Sequence, residues 1–323
     1  MSRYYTRACN FYYGSKSKSL VKKKKSLPLN GYYEISFDQI ELISKKSKKK
    51  FSINKLSSLS KHQKKQIKKD LKKITSKKKN FAKLNFSKLP NVMGILNLTP
   101  NSFSDGGKFN EKSKGIKQAI KMYKSGASII DIGGESTKPG SKGVNAKIEW
   151  NRINQILKFI CKKLPVSLDT RKSEIMEKGI KYGVKIINDV SGLNYDLNTK
   201  NILKKYKIPF VIQHSQGTPE NMQKNPTYKN ELLDIYDFFE KKIKFLRSIG
   251  IKHNNIIIDP GIGFGKNLKH NMSLIRNISI FHSLGFPILV GNSKKKFISE
   301  LSGKNDTKNR FGGTVASSLY LMM

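Results

Sequence analysis

From residue 92 onward the chain repeats one pattern, in which a short apolar run ends in polar residues and a helical segment follows. Apolar runs with little alternation are typical of strands covered on both faces, as in a parallel sheet wrapped by helices. The runs occupy residues 92–96, 128–132, 166–168, 184–187, 210–212, 256–258 and 288–290. Seven successive strand and helix units predict an α/β fold.

The polar residues after these strands favour one α/β architecture over another. An open doubly wound sheet concentrates its ligand groups at a switch point, whereas a closed barrel carries them at the ends of most strands. Because polar residues follow nearly every run, the sequence predicts a TIM (β/α)8 barrel. After Gly312 and Gly313 a helix continues to Met323, so we expect the barrel to lack its eighth strand.

Residues 1–90 follow a different pattern and are predicted to form a basic, Lys-rich N-terminal extension, with the barrel domain spanning residues 91–323. Within residues 58–78 apolar side chains fall at helical spacing among many lysines, which predicts a thin amphipathic helix that packs on the neighbouring domain. Residues 32–37 alternate enough for an edge strand or hairpin arm. The lysine runs at 22–25 and 45–50 are predicted to be solvated loops.

The charge of the chain is extreme, at +42, and it is concentrated near the N-terminus. Residues 1–90 hold 26 of the 64 Lys and Arg but only 4 of the 22 Asp and Glu. Such an excess is typical of proteins that bind nucleic acid or an anionic membrane surface, but a genome that encodes Lys wherever a polar residue is tolerated gives the same composition. Because Lys greatly outnumbers Arg, the residue favoured for bidentate phosphate contacts, we expect no nucleic-acid partner.

Cysteine usage and apolar runs narrow the class of protein further. Cys9 and Cys161 lie far apart and form no Cys/His cluster, so neither a disulfide framework nor a zinc site is indicated and a reducing cytoplasm is expected. No window of 18 apolar residues occurs, which argues against a membrane span and a cleaved signal.

Candidate chemistry begins with the stretch NVMGILNLTPNSFSDGG, residues 91–107, which turns a strand directly into a glycine-ended polar loop. Loops on rigid strand ends are where α/β enzymes keep binding groups, although an ordinary surface loop has the same composition. Asn97 ends the strand, and its side-chain oxygen suits a hard cation such as Mg²⁺ that also holds a phosphate.

Three further strand ends carry Asp169, Asn188 and Asp259, which would converge on one pocket in a barrel. A carboxylate can accept two parallel hydrogen bonds from a ring edge rich in N–H groups, so an aminopyrimidinone ring is the natural complement. Capping of the following helices is the alternative for any one of these residues. Lys295 lies just past the seventh run, where it could meet a ring carbonyl or a phosphate.

A glycine-rich segment and a histidine are two further candidates for a functional role. Gly261, Gly263 and Gly265 have the wrong spacing for a dinucleotide fingerprint, so such a site is not expected. His214 could be an acid or base, and a hydrogen-bonded pocket wall is an equal alternative.

Seven motifs occur in order along residues 91–323, namely GILNLTPNSFSDGG, DIGGESTKPGS, SLDTRK, IINDVSG, HSQGTP, DPGIGFGK and VGNSKKKFI. Together they resemble the dihydropteroate synthase family, a pterin-binding TIM barrel. The resemblance implies a transferase of folate biosynthesis that condenses 4-aminobenzoate with (7,8-dihydropterin-6-yl)methyl diphosphate to give 7,8-dihydropteroate and diphosphate. It also implies Mg²⁺ as the cofactor and a homodimer.

The resemblance implies roles for individual residues as well. Pterin contacts fall on Asp169, Asn188, Asp259 and Lys295. Asn97 falls at the Mg²⁺ and the diphosphate. The diphosphate and aminobenzoate region takes in Thr137 near the incoming amine, Ser293 at the carboxylate, and a slot lined by Phe103, Pro139 and Phe264.

The chain departs from the family pattern at several positions. Lys138 and Lys294 stand where the family usually has Arg, which keeps the charge but loses the planar fork. Ser215 replaces a common Met and Asn101 a common Asp. The family's eighth strand carries an Arg-x-His pair that grips the diphosphate, and nothing in this chain matches it. Either the sequence is a fragment, which its end inside a helix favours, or this form is inactive.

Two other functions compete with synthesis of dihydropteroate. A methyltetrahydrofolate-dependent methyltransferase shares the pterin-binding barrel, but would not be expected to carry the GILNLTPNSFSDGG loop or the SKK triplet. A truncated, inactive barrel with a basic nucleic-acid-binding arm is the alternative from a different class, and it rests only on residues 1–90.

Overall fold

The structure is a computed structural model and describes residues 3–87, 90–99, 112–303 and 310–323. Its backbone divides into two compact units. The amino-terminal unit comprises Met1–Lys79, Ile275–Ile288 and Met323, and the sheet unit comprises Asn80–Leu274 and Leu289–Met322. Residues 80–90, predicted to belong to the N-terminal extension, therefore group with the sheet unit. Residues Ile275–Ile288 group with the amino-terminal unit although they are distant from it in sequence.

The amino-terminal unit is built on an antiparallel sheet. Its strands are β1 (Tyr5–Tyr13), β2 (Leu27–Pro28), β3 (Ile35–Ile43) and β4 (Lys48–Ser52), and its helices are α1 (Gly14–Lys22) and α2 (Lys61–Thr75). Strand β3 is central, because β1, β2 and β4 all pair with it. Helix α2 begins at a capping box, in which the Ser60 side chain accepts from the Gln63 N–H and the Gln63 side chain accepts from the Ser60 N–H.

The core of this unit is apolar and continuous. Ala8, Phe37 and Ile40 from the sheet pack with Ile67 and Ile74 from α2, and each is 0–1% exposed. The amphipathic helix predicted within residues 58–78 is therefore confirmed as α2, but its apolar face packs on the sheet of its own unit, whereas packing on the neighbouring domain was predicted. The prediction of a loop at residues 45–50 is wrong for Lys48–Lys50, which lie in β4; in the described part of the chain β4 pairs with β3 alone, and such an edge strand accommodates exposed lysines.

The second segment of the amino-terminal unit contains the 3-10 helix Ile278–Leu284. Ser279 Oγ donates to the Ala8 carbonyl oxygen at 2.9 Å, and the buried Lys78 Nζ donates to the Gly285 carbonyl oxygen at 2.7 Å. Burial lowers the pKa of Lys78 to about 8. Ile280 and Phe281 are fully buried, so this segment is part of the unit's core.

The sheet unit contains a six-stranded parallel sheet. Its strands are β5 (Met93–Asn97), β6 (Ile129–Gly133), β7 (Val166–Asp169), β8 (Ile186–Asp189), β9 (Phe210–Gln213) and β10 (Ile256–Asp259). The helices are α3 (Lys112–Lys124), α4 (Ala146–Ile160), α5 (Ser173–Lys181), α6 (Thr199–Tyr206), α7 (Glu231–Ser248), α8 (Leu268–Asn277), α9 (Lys296–Ser302) and α10 (Phe311–Met322). A short 3-10 helix, His253–Asn255, precedes β10.

The order of these strands confirms the α/β class and is that of a barrel wall. The sheet runs β5 to β10 with every strand beside its neighbour in sequence, whereas a doubly wound sheet would reverse direction at its switch point. The predicted seventh strand at 288–290 is wrong. Among the described residues this run contains a single bridge residue, Ile288, and the Leu289 N–H donates to the Ile258 carbonyl oxygen of β10 at 2.9 Å, so the run pairs with β10 at one point without forming a strand.

Strand register sorts the side chains onto two faces. Cα partners join Asn97 to Gly133, Gly133 to Asp169, and Asp169 to Asn188, and they also join Gln213 to Asp259. Paired residues of neighbouring parallel strands project to the same side, and so do residues two apart on one strand. Asn188 pairs with Val211, two positions before Gln213. Hence one face, here called the polar face, carries Asn97, Asp169, Asn188, Gln213 and Asp259.

The opposite face of the sheet is apolar and buried, apart from the buried Asp189, which pairs with Ile212. Its 0% exposed residues include Leu96, Ile132, Leu168, Ile187, Ile212 and Ile258. Helix α5 approaches this face so closely that a Cβ on Gly179 would lie 2.4 Å from Leu168 Cδ2. Covering by helices explains why the strands read as continuous apolar runs.

Within the described residues, no helix is both long enough and apolar enough to cross a membrane.

Candidate active site

The polar face gathers the four residues predicted to contact a pterin. Asp169 and Asn188 are direct neighbours on β7 and β8. The carboxyl groups of Asp259 and Asp169 both act electrostatically on the pKa of Lys295, so its ammonium lies near both. The predicted convergence of Asp169, Asn188, Asp259 and Lys295 is what the geometry shows.

Asp131 belongs to the same cluster and was missed in the sequence. It lies in β6, two residues before Gly133, and therefore projects onto the polar face. Asn188 Nδ2 donates to Asp131 Oδ2 at 3.0 Å. A lone Asp within the apolar run SIIDI was the available signal, because a carboxyl is expensive to bury without a purpose.

The hydrogen bond to Asp131 fixes the orientation of the Asn188 side-chain amide. In the described part of the chain, the buried atoms Asn188 Oδ1 and Gln213 Nε2 have no hydrogen-bond partner. Most buried polar atoms in proteins are paired, so one unpaired acceptor and one unpaired donor on the same face indicate a ligand. That ligand would offer both a donor and an acceptor.

Burial dominates the electrostatics of the cluster. Burial raises the pKa of Asp169 well above its usual value, and the nearby carboxyl groups of Asp131, Glu149 and Glu135 raise it further. Burial likewise raises the pKa of Asp259 to about 6, against the Gly261 N–H and the attraction of Lys295. The pKa of Lys295 falls to about 8, again through burial and against Asp259 and Asp169. Burial therefore disfavours an isolated charge on each of these groups.

The loop after β10 is shaped around Asp259. The Gly261 N–H donates to Asp259 Oδ1 at 2.7 Å. Gly261 has φ +69°, and a Cβ there would lie 2.0 Å from the His214 carbonyl oxygen, so only glycine fits. Phe264, on the same loop, lies with its ring centroid 4.0 Å from Lys295 Nζ. This contact joins one predicted slot residue to the pterin cluster.

Asn97 lies at the edge of the cluster, on the strand next to Gly133. A Cβ on Gly133 would be 3.3 Å from Asp169 Oδ2 and 3.5 Å from Asn97 Oδ1, so both side chains flank this glycine. Among the described residues, no group of three or more His, Cys, Asp or Glu could hold a metal ion.

The remaining predicted residues lie on loops. Thr137 is half-buried, whereas Pro139 and Ser293 are exposed. Phe103, with most of the predicted loop at residues 91–107, lies outside the described residues.

A family profile described as "Pterin binding enzyme" matches residues 93–323. A dihydropteroate synthase from Synechocystis sp. is 39% identical over 228 residues, covering 70% of this chain and 79% of the relative. The chain belongs to the dihydropteroate synthase family.

Solved structures of dihydropteroate synthases resemble the chain in the same way. The Yersinia pestis enzyme, in complex with a sulfonamide drug, matches with a TM-score of 0.71 and 37% identity, over 74% of this chain and 86% of that one. The Xanthomonas albilineans enzyme in complex with 7,8-dihydropteroate matches with a TM-score of 0.65 and 31% identity, over the same shares of the two chains.

In this member of the dihydropteroate synthase family, His214 is buried, with 7% of its surface exposed, and contacts Lys266. Lys266 Nζ lies 3.1 Å from His214 Nδ1 and donates to the Phe264 carbonyl oxygen at 2.8 Å. The His214 ring also meets Phe238 edge-on, with centroids 4.9 Å apart. Burial lowers the pKa of His214 well below its usual value and that of Lys266 to about 7. Lys266 was not singled out in the sequence, because surface Lys is the default in so basic a chain.

The lysines that replace family arginines differ in surroundings. Lys138 is an exposed loop residue. Lys294 adopts φ +51°, and its backbone is held by the Thr314 and Arg310 side chains. The Lys294 N–H donates to Thr314 Oγ1 at 2.9 Å, and Arg310 donates to the Lys294 carbonyl oxygen at 3.0 Å. The turn that carries Ser293 and Lys295 is thereby tied to α10.

Proposed function

We propose that the protein is a dihydropteroate synthase, which joins 4-aminobenzoate to (7,8-dihydropterin-6-yl)methyl diphosphate and releases diphosphate. The observation that carries the proposal is the convergence of Asp131, Asp169, Asn188, Asp259 and Lys295 on one face of the sheet. These groups supply acceptors for the N–H edge of an aminopyrimidinone and a donor for its carbonyl.

The electrostatics of the cluster fit the chemistry. Cleavage of the carbon–oxygen bond at the pterin methylene leaves positive charge delocalised into the ring. Carboxylates held in a low-dielectric site stabilise such charge as it develops. Burial opposes the ionisation of Asp259 and Asp169, and positive charge developing on a bound ring would offset that cost.

We further propose that Asn97 is the chain's contribution to an Mg²⁺ site. A single amide oxygen beside Gly133 fits this ion, because Mg²⁺ keeps most of its waters and is commonly held by one or two protein oxygens together with substrate phosphates. Bound Mg²⁺ would neutralise charge on the departing diphosphate.

The second half of the reaction requires placement more than a base. The amine of 4-aminobenzoate is neutral and nucleophilic, so holding it against the methylene supplies much of the rate. We assign this placement to Thr137, Ser293, Pro139 and Phe264, with Phe103 from the loop outside the described residues. We assign no general base.

We also propose that the protein is a homodimer. Helix α10 supports this, because Phe311, Val315 and Leu319 recur every four residues and are 69%, 42% and 54% exposed. An apolar helix face of this kind is typical of an interface between subunits. Light scattering after size exclusion would report the mass, and a monomer at micromolar concentration would contradict the proposal.

The function is tested by incubating the 323-residue chain with both substrates and Mg²⁺. We expect dihydropteroate and diphosphate to appear in equal amounts, with neither formed when either substrate is omitted. Methyl transfer from methyltetrahydrofolate, measured in parallel, should be absent. Tight pterin binding without dihydropteroate formation would overturn the assignment to synthesis while leaving the pterin site intact.

A further inference from the structure

Four buried charged residues form a closed cluster beside the pterin site, here called the Glu135 cluster: Glu135, Glu149, Arg171 and Lys172. Arg171 Nε donates to Glu135 Oε2 at 2.8 Å, and its second nitrogen donates to Glu135 Oε1 at 3.2 Å. Lys172 Nζ lies 3.0 Å from Glu135 Oε1 and 2.5 Å from Glu149 Oε2. All four are at most 8% exposed, so two cations and two anions neutralise one another away from water.

Glu135 closes the neck of the loop that carries Thr137 and Pro139. It begins the loop after β6, and its Oε1 accepts from the Val144 N–H at 2.9 Å at the far end. Inside the loop, Ser136 Oγ and Ser141 Oγ lie 2.8 Å apart, and the Gly140 N–H donates to the Pro219 carbonyl oxygen at 2.9 Å. The orientation of Glu135 therefore fixes the base of a loop whose tip is predicted to receive the amine.

Arg171 in turn fixes Glu135. Its guanidinium grips both carboxylate oxygens and lies 4.0 Å from the Tyr195 ring centroid, on the loop after β8. Gly143 leaves room for it, because a Cβ there would be 2.7 Å from the second Arg171 nitrogen. A planar fork stacked on an aromatic ring is a geometry that lysine does not reproduce.

A purely structural role would be the simpler explanation of a buried ion cluster. Such clusters add little stability compared with apolar packing, because desolvation offsets most of the attraction. Together with Tyr195, the Glu135 cluster joins the loops after β6, β7 and β8, at the end of the sheet that carries the active site. The loop that it closes carries Thr137 and Pro139, two candidate substrate-binding residues. That position favours a role in the reaction.

We propose that Arg171 is a positioning residue which, through Glu135, holds the Thr137–Pro139 loop in the shape that accepts 4-aminobenzoate. This inference rests on the proposed function. The contacts of Arg171 are with Glu135 and Tyr195, and a lysine in its place keeps the positive charge beside Glu135, so this replacement should affect one substrate and spare the other.

The test compares Arg171→Lys with Gly143→Ala, which crowds the guanidinium without altering any charged group. For both variants we expect the KM for 4-aminobenzoate to rise roughly tenfold, in line with small misplacements of a positioning group. The dissociation constant of the pterin diphosphate, titrated without 4-aminobenzoate, should stay within about twofold of wild type, well below the tenfold change that 1.4 kcal/mol produces. Arg247→Lys, the same replacement at a hydrogen-bonded arginine of α7, is the control and should change neither constant.

A second readout needs no activity. Lys142 lies inside the loop, so Arg171→Lys should speed tryptic cleavage after Lys142, with cleavage elsewhere unchanged. A wild-type chain that makes no dihydropteroate would defeat the proposed function, and the cleavage comparison would still decide whether Arg171 holds the loop. Equal changes for both substrates, or an unchanged KM with unchanged cleavage in an active enzyme, would overturn the inference.

Discussion

Asp70 in the amino-terminal unit and Asp259 in the sheet unit are both buried, but they differ in how fully their surroundings are hydrogen-bonded. In the amino-terminal unit, Asp70 is 1% exposed and accepts hydrogen bonds from Thr6 Oγ1 at 2.8 Å and from Gln66 Nε2 at 2.9 Å. In the sheet unit, Asp259 is 5% exposed but has one backbone donor, and Asn188 and Gln213 on the same face keep buried polar atoms unpaired within the described residues. Satisfied burial indicates a structural group, whereas incomplete satisfaction indicates a place reserved for a ligand.

The largest expected effect probes the structural side of this comparison. Phe281→Ala removes a fully buried ring from the amino-terminal unit, and we expect the free energy of unfolding to fall by about 3–5 kcal/mol. Urea denaturation followed by circular dichroism measures this loss. The control is Tyr33→Ala in the same unit, where the ring is 49% exposed and the loss should stay below about 1 kcal/mol. Equal losses in the two variants would contradict the placement of the second segment in the core.

A comparable effect is expected at Asp259, but on activity rather than on stability. Asp259→Asn should lower kcat/KM by about 10²–10³-fold, because an acceptor aimed at developing positive charge is lost. The free energy of unfolding at pH 7 should be unchanged or should rise by up to about 3 kcal/mol, since burial of the ion outweighs its attraction to Lys295. Asp70→Asn is the matched variant, and we expect the reverse: a loss of about 1–3 kcal/mol in stability with the activity of the folded enzyme unchanged. A stability loss at Asp259 as large as at Asp70 would break the comparison.

The pH dependence of activity and of stability gives a second test of the comparison between Asp70 and Asp259. Asp259, with its pKa raised to about 6, and Lys295, with its pKa lowered to about 8, are both charged only between these values, so kcat/KM should fall about tenfold per pH unit on either side. The contribution of these two groups to the free energy of unfolding varies with pH in the opposite direction. The contribution of Asp259 is present below its unfolded pKa and is lost as pH rises through about 6, at a cost of roughly 3 kcal/mol. The contribution of Lys295 is present above its unfolded pKa and is lost as pH falls through about 8. Activity and denaturation measured across pH 5–9 test this opposition, and an activity profile flat from pH 5 to 9 would refute it.

The smallest effect concerns single amides. Gln213→Leu removes a donor that has no partner among the described residues, so we expect stability to be unchanged or higher. Binding of the pterin diphosphate, measured by titration, should weaken by about fivefold through loss of one neutral hydrogen bond. Gln66→Leu, where the amide is bonded to Asp70, should lower stability and leave pterin binding alone. Unchanged pterin binding in Gln213→Leu would remove that residue from the site.

Much of the sheet unit was predictable because its information is local. Six of the seven strands and the polar residues at their ends follow from the apolar runs, and the barrel order follows from the even distribution of those ends. Asp169, Asn188 and Asp259 were found because each directly follows a run. Asp131 and Gln213 were not, because one polar residue inside or at the last position of an apolar strand has no distinctive spacing.

The amino-terminal unit was harder to predict because its determinants are distant in sequence. Strand β1, with the sequence YTRACNFYY, shows no clean alternation, and its partner β3 lies more than twenty residues away. The membership of Ile275–Ile288 depends on contacts with Ala8 and Lys78, which no sequence window contains. The predicted seventh strand is reduced to a single bridge residue, Ile288, and the length of the run does not explain this, since the equally short runs 166–168, 210–212 and 256–258 lie in strands.

Strand β4 places Lys48, Lys49 and Lys50 in a row along the outer edge of an antiparallel sheet. Two copies meeting edge to edge would bring these ammonium groups well within the screening distance of about 8 Å at physiological ionic strength. The resulting repulsion keeps the exposed backbone of β4 from serving as a template for another chain. The lysine content of this segment thus opposes aggregation through the edge of β4.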